Sequence, residues 1–150
     1  MTGVPPAPAL DAGTVAVVLA AIGGVFALRV VGQLLVVLRQ PRWLPPMEQW
    51  YSGVLAYPAL LASQLAILAA MAVIVLGLRA GAAWAIGPYP VVETVLVIVA
   101  YAYAAAMGVR YVVRMGRRPD QRWLGGCIPI VFHVVLASWL LVIGSLWRAA

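Results

Sequence analysis

Lysine is absent from this sequence, cysteine and histidine occur once each, and only four side chains are acidic. The lone cysteine, Cys127, excludes an intrachain disulfide and a cysteine metal cluster. The lone histidine, His133, excludes a bis-histidine haem within the chain and a His-rich zinc or di-iron site. No multi-residue metal site is expected, which leaves His133 as a single axial ligand to a haem or chlorophyll-type pigment as the remaining option. There is no phosphate-cradling glycine loop with lysine, no Cys-x-x-Cys and no serine elbow. With so few nucleophiles and no paired carboxylates, no catalytic residue is identified, and the chain alone is not expected to be an enzyme.

Charge of either sign is scarce, at 9% of 150 residues, where a soluble domain carries about 25%. With 65% hydrophobic residues and a mean hydropathy of +1.04, the chain cannot cover a water-facing surface. The length allows one domain, residues 1–150, with lipid as its main solvent. All ten basic residues are arginine, giving a net charge of +6. They sit at the ends of apolar runs rather than along one soluble face, so they read as topogenic and nucleic acid is not an expected partner.

Four apolar runs follow one another, at about residues 14–38, 54–78, 91–113 and 126–146. Each is long enough to cross the roughly 30 Å hydrocarbon layer with some tilt. Unpaired backbone cannot face lipid, and four spans of this length cannot close a barrel. The fold expected is therefore all-α, a four-helix transmembrane bundle with a short interfacial segment after the first helix. Met1 to Asp11 lacks the basic region of a cleaved signal peptide, so the first run is expected to stay as an anchor.

Arginine counts orient the spans. The first connector holds Arg39 and Arg42, and the third holds Arg114, Arg117, Arg118 and Arg122. The opposite side holds only Arg79 and Arg148. Six against two places the first and third connectors in the cytoplasm and both termini outside. Trp43, Trp50, Trp84, Trp123 and Trp147 fall near the expected interfaces, as amphipathic aromatics should. Small residues spaced by four (Ala20 with Gly24, Gly23 with Ala27, and Ala100, Ala104 and Gly108) let helices approach closely, within the bundle or in a homodimer.

Polar groups inside spans are costly, so each needs a reason. Arg29 and Gln33 share a face of the first helix, and Tyr57 and Gln64 share one of the second. The third carries Tyr103, Met107, Arg110 and Arg114 down a broad stripe, and the fourth carries His133. Counted at 1.5 Å per residue, Gln33 and Arg110 lie roughly 5–8 Å below the cytoplasmic end, and Arg29, Gln64, Met107 and His133 roughly 10–15 Å. All four helices thus place polar groups in one half of the bundle, which predicts a polar pocket in the cytoplasmic leaflet. The connector Arg39–Gly53 lies beside it. Pro45 and Pro46 are suited to start a short helix there, and Glu48 is expected to point inward to pair Arg29 or Arg110. The candidate ligand-binding residues are Arg29, Gln33, Glu48, Tyr57, Gln64, Tyr103, Arg110 and His133. The competing readings are that Arg110 and Arg114 snorkel to headgroups and that the glutamines only bond helix to helix.

Four pieces carry a resemblance: Phe26 to Gln33, Trp43 to Gly53, Tyr57-Pro58 with Gln64, and Arg122 to His133. Together they resemble a group of small, uncharacterised four-helix bacterial membrane proteins, over most of the chain. The resemblance implies the bacterial cytoplasmic membrane and no particular activity. The size, the four spans and the first-helix arginine are also similar to the DoxX-like family, linked to quinone or thiol redox, although no full DoxX motif matches. The leading expectation is a non-catalytic accessory or assembly subunit of a larger membrane complex. The bilayer and other membrane subunits or a second copy are its expected partners. The alternatives are a quinone- or anionic-lipid-binding redox protein, with a quinone or bound phospholipid as ligand, and a small-solute transporter. Transport fits least well, because the outer half offers no matching polar path.

Overall fold

A computed structural model describes residues 11–50, 55–117 and 126–149 of the chain. The first ten residues, the end of the connector toward Gly53, and Arg118, Asp120, Arg122 and Trp123 lie outside them. The described residues form α1 (Ala12–Arg39), α2 (Met47–Trp50), α3 (Tyr57–Arg79), α4 (Ala83–Ile86), α5 (Pro90–Arg117) and α6 (Ile128–Ala149). Helices α1, α3, α5 and α6 are long and apolar enough to cross a membrane. The molecule is an all-α, four-helix, multi-pass membrane protein. Val17, Leu28, Leu76, Val91, Ile98 and Val109 stand exposed along the long helices, a surface suited to lipid.

Local chemistry sets the helix ends. Asp11 caps α1, its carboxylate accepting from the Thr14 amide at 2.9 Å and from the Thr14 hydroxyl at 2.6 Å. Gln40 closes α1 in the left-handed region, and Pro41 prevents continuation. Proline lies in the first turn of α3 as Pro58 and opens α5 as Pro90, where its missing N–H costs nothing. The Thr14 hydroxyl, followed by the Thr14 amide, holds the Asp11 carboxyl below its ordinary value of 3.8. A lowered folded value means that the cap stabilises above pH 3.8 and is lost as pH falls through the lowered value. Protection of the Thr14 amide, taken relative to the intrinsic exchange rate at each pH, is therefore expected to fall as pH drops through that value, and Asp11→Ala to remove this dependence.

Helix α1 packs against α3 on one side and α6 on the other, and α6 carries α5. The spans thus touch in the order α3, α1, α6, α5, and α3 and α5 at the ends of the row make at most marginal contact. At the end holding α4, the row closes over a dry core of Val15, Ala16, Leu19, Met71, Leu78, Trp139, Ile143 and Leu146. Packing between apolar surfaces, not exclusion of water, holds helices together in lipid. Small residues allow it: Gly23 lies against Met71 of α3, Gly144 against Val97 of α5, and Ala100 is fully buried. Gly24 and Gly108 face open space.

The short connector of residues 79–90 reads from sequence as a Gly/Pro turn, but it contains α4 and is stapled by aromatics. The Trp147 indole donates to the Ala85 carbonyl at 2.8 Å, and the Tyr89 hydroxyl donates to the Trp84 carbonyl at 2.8 Å. Tyr89 and Trp147 meet edge to face with ring centroids 5.3 Å apart. Beside them, Glu93 is buried and accepts from Arg148 Nε at 2.7 Å, the ion pair found among the described residues.

Candidate functional site

The end opposite α4 is built differently. Here α1, α3, α5 and α6 diverge around a cavity of about 230 Å³. Its wall is mostly apolar, with Phe26, Leu60, Ile67, Phe132 and Leu136, and the chain's two phenylalanines both line it. Set into that wall are Arg29 from α1, Ser63 and Gln64 from α3, Tyr103 from α5 and His133 from α6. The cavity is a partly open cleft, and α3 and α5, which both line it, make at most marginal contact.

Arg29 is 6% exposed, yet no carboxylate among the described residues pairs with it. Its Nη2 donates to the Trp50 carbonyl at 3.2 Å, and its Nε has no partner among the described residues. The guanidinium carbon lies 5.7 Å from the centre of the Phe132 ring, within cation–π range. A guanidinium offers five N–H donors. Among the described residues, one neutral carbonyl and one ring face are what answer its charge and its hydrogen-bonding capacity.

The glutamines do bond helix to helix. Gln64 Nε2 donates to Gln33 Oε1 at 3.2 Å, tying α3 to α1, with both side chains buried. Gln33 Nε2 and Gln64 Oε1 have no partners among the described residues, and exchanging oxygen and nitrogen on both amides leaves the same deficit. Gln64 turns toward the cavity and Gln33 stays behind it. His133 Nδ1 contacts the carbonyl oxygen of Pro129, one turn back on its own helix. A carbonyl only accepts, so a ring proton on Nδ1 would answer it, and in that tautomer Nε2 is left as an acceptor. The ring lies 5.1 Å from that of Tyr103, joining α6 to α5 across the cleft.

Four of the eight candidate residues therefore converge: Arg29, Gln64, Tyr103 and His133. Gln33 supports them from behind, and Tyr57, half-buried at the start of α3, keeps its hydroxyl buried without a partner among the described residues. Glu48 and Arg110 do not join. Glu48 is exposed and lines a separate groove with Gln40, Arg42 and Met47. The reason is helical phase. Within Met47–Trp50, positions two apart point about 200° apart, so when the Trp50 indole is buried against Gly32, Glu48 is turned outward. Arg110 is exposed on α5 in a shallow surface groove with Arg114 and Arg117, positioned to reach headgroups.

Sequence reasoning missed the Trp50 carbonyl and Phe132. A backbone acceptor leaves no trace in residue type. Phe132 carried a weak signal, as one of only two phenylalanines and the immediate neighbour of His133. Among the described residues no group of three or more metal-ligating side chains gathers. No protein-family model, curated protein or solved structure matches this chain.

Proposed function

We propose that this protein is a non-catalytic integral membrane protein whose cleft receives the polar head of a membrane-resident amphiphile. The observation that carries this reading is Arg29, a buried cation lining a cavity without a carboxylate partner among the described residues. Burying a charge is costly unless it is paired, and an anionic or carbonyl-bearing ligand would supply the pairing. The cavity, at about 230 Å³, is smaller than the roughly 300–1,000 Å³ of sites that enclose a whole small molecule. It is scaled to a head, with the tail left outside. The arginine distribution favours the α2 end toward the cytoplasm and both termini outward; a bacterial inner membrane is what the resemblance implies. Small size and the lack of a catalytic set favour an accessory or assembly role beside other membrane subunits over enzymatic work.

Purification from native membranes in mild detergent, followed by organic extraction and mass spectrometry, tests the reading. Wild type is expected to carry a near-stoichiometric amphiphile and Arg29→Ala to lose at least nine-tenths of it. Equal content in both would refute it. A quinone is the second reading, favoured by the aromatic walls from Phe26, Phe132 and Tyr103. The same extraction distinguishes it, because a quinone and a phospholipid separate by mass.

A further inference from the structure

Building on that reading, we infer that the head bound in the cleft is a hydroxyl-bearing phosphodiester, an anionic polyol phospholipid that arrives sideways between α3 and α5. Three observations define the class. The first is charge. Arg29 presents a cationic fork with one backbone acceptor and no carboxylate partner among the described residues. A phosphodiester brings one negative charge and two non-ester oxygens that suit the fork. A zwitterionic head would bring its own cation into the same apolar space.

The second is the remaining polarity. The His133 ring nitrogen Nδ1 lies against the Pro129 carbonyl, an arrangement in which a proton on Nδ1 leaves Nε2 as an acceptor. The Ser63 hydroxyl likewise donates to the Leu60 carbonyl at 2.7 Å, leaving its oxygen to accept. Gln64 keeps its amide oxygen without a partner among the described residues. A head that only accepts, such as a quinone or a bare carboxylate, leaves the lone pairs of His133 and Ser63 unanswered. Polyol hydroxyls donate to both while the phosphate faces Arg29. Ligand and cleft then complement each other: anion against cation, donors against acceptors.

The third is access. Helices α3 and α5 both line the cleft yet make at most marginal contact, so entry between them would let acyl chains stay in the bilayer while the head turns inward. A water-soluble phosphodiester would gain nothing from this geometry, because apolar side chains form most of the wall.

Native mass spectrometry of the full chain, exchanged into defined lipid mixtures, tests the inference. Phosphatidylglycerol is expected to be retained at least tenfold over phosphatidylcholine and severalfold over phosphatidic acid, which lacks the polyol. Arg29→Met should abolish the preference over phosphatidylcholine. His133→Phe should keep that preference but lose the discrimination between phosphatidylglycerol and phosphatidic acid. Because Arg29→Met also strips a helix-to-connector bond, His133→Phe keeps the test informative if Arg29→Met does not fold. Equal retention of phosphatidylglycerol and phosphatidylcholine by wild type would overturn the inference, as would equal retention of phosphatidylglycerol and phosphatidic acid. Soluble glycerophosphoglycerol displacing the lipid at comparable concentration would overturn the sideways route. A quinone as the extracted ligand would overturn this inference while leaving an amphiphile site in place.

Discussion

Arg148→Ala is expected to destabilise the protein more than the double change Glu93→Gln with Arg148→Ala. Glu93 on α5 is 5% exposed, and its carboxylate accepts from the Arg148 guanidinium of α6 through both Nε and Nη2. Removing the arginine strands a buried carboxylate whose remaining contact among the described residues is the Thr94 hydroxyl at 3.2 Å, and that hydroxyl's one proton is also drawn to the Pro90 carbonyl at 2.9 Å. Leaving such a group unsatisfied costs about 1–3 kcal/mol. The Arg148 side chain is 67% exposed, so screening by water and headgroups places the cost toward the lower end of that range, about 1–2 kcal/mol. In the double variant no charge is left to strand, and part of the loss should return. Unfolding midpoints in detergent measure both. If the double variant is as unstable as the single one, the stranded charge is not the cause.

Gly32→Leu is expected to release the connector that carries α2. A Cβ on Gly32 would stand 2.8 Å from Cη2 and 3.1 Å from Cζ3 of the Trp50 indole, so the indole packs directly on α1 backbone. The same indole donates to the Pro45 carbonyl at 2.9 Å, and its residue supplies the acceptor for Arg29. Overpacking of this kind typically costs about 1–3 kcal/mol. The load falls on α2, a single turn, because α1 is a long span anchored by α3 and α6. Trypsin cleavage after Arg39 and Arg42 should accelerate about tenfold, the factor that about 1.4 kcal/mol represents. Circular dichroism should show helix content essentially unchanged. Cleavage at the wild-type rate would mean that Trp50 yields freely and does not hold the connector.

The spans were legible in the sequence, and their deviations have local causes. The third span was placed at 91–113 but continues to Arg117, since the added residues include arginine, a good helix former, and no proline. The second was expected from residue 54 and begins at Tyr57, where Pro58 suits a first turn. The turn at Met47–Trp50 follows Pro45 and Pro46 as expected. The clustering of polar residues in one half of the bundle was legible too, because depth along a helix is simply a residue count.

Which polar residues meet was not legible. Arg29, Gln64, Tyr103 and His133 share the cleft because α1 and α6 pack together and hold α3 and α5 apart, an order of neighbours that no single helix specifies. The connector Arg39–Gly53 illustrates the division. Its charge, its prolines and the short helix that they start are properties of one segment, and sequence alone determined them. Glu48, its only acid, was expected to pair Arg29 or Arg110, yet it is exposed and the Trp50 carbonyl accepts from Arg29. A four-residue helix buries one face, and packing Trp50 on Gly32 decides which face that is. Hydropathy and helical period act along a segment and are therefore written in it. The partner of a buried charge depends on what packs opposite, and only the tertiary structure decided that.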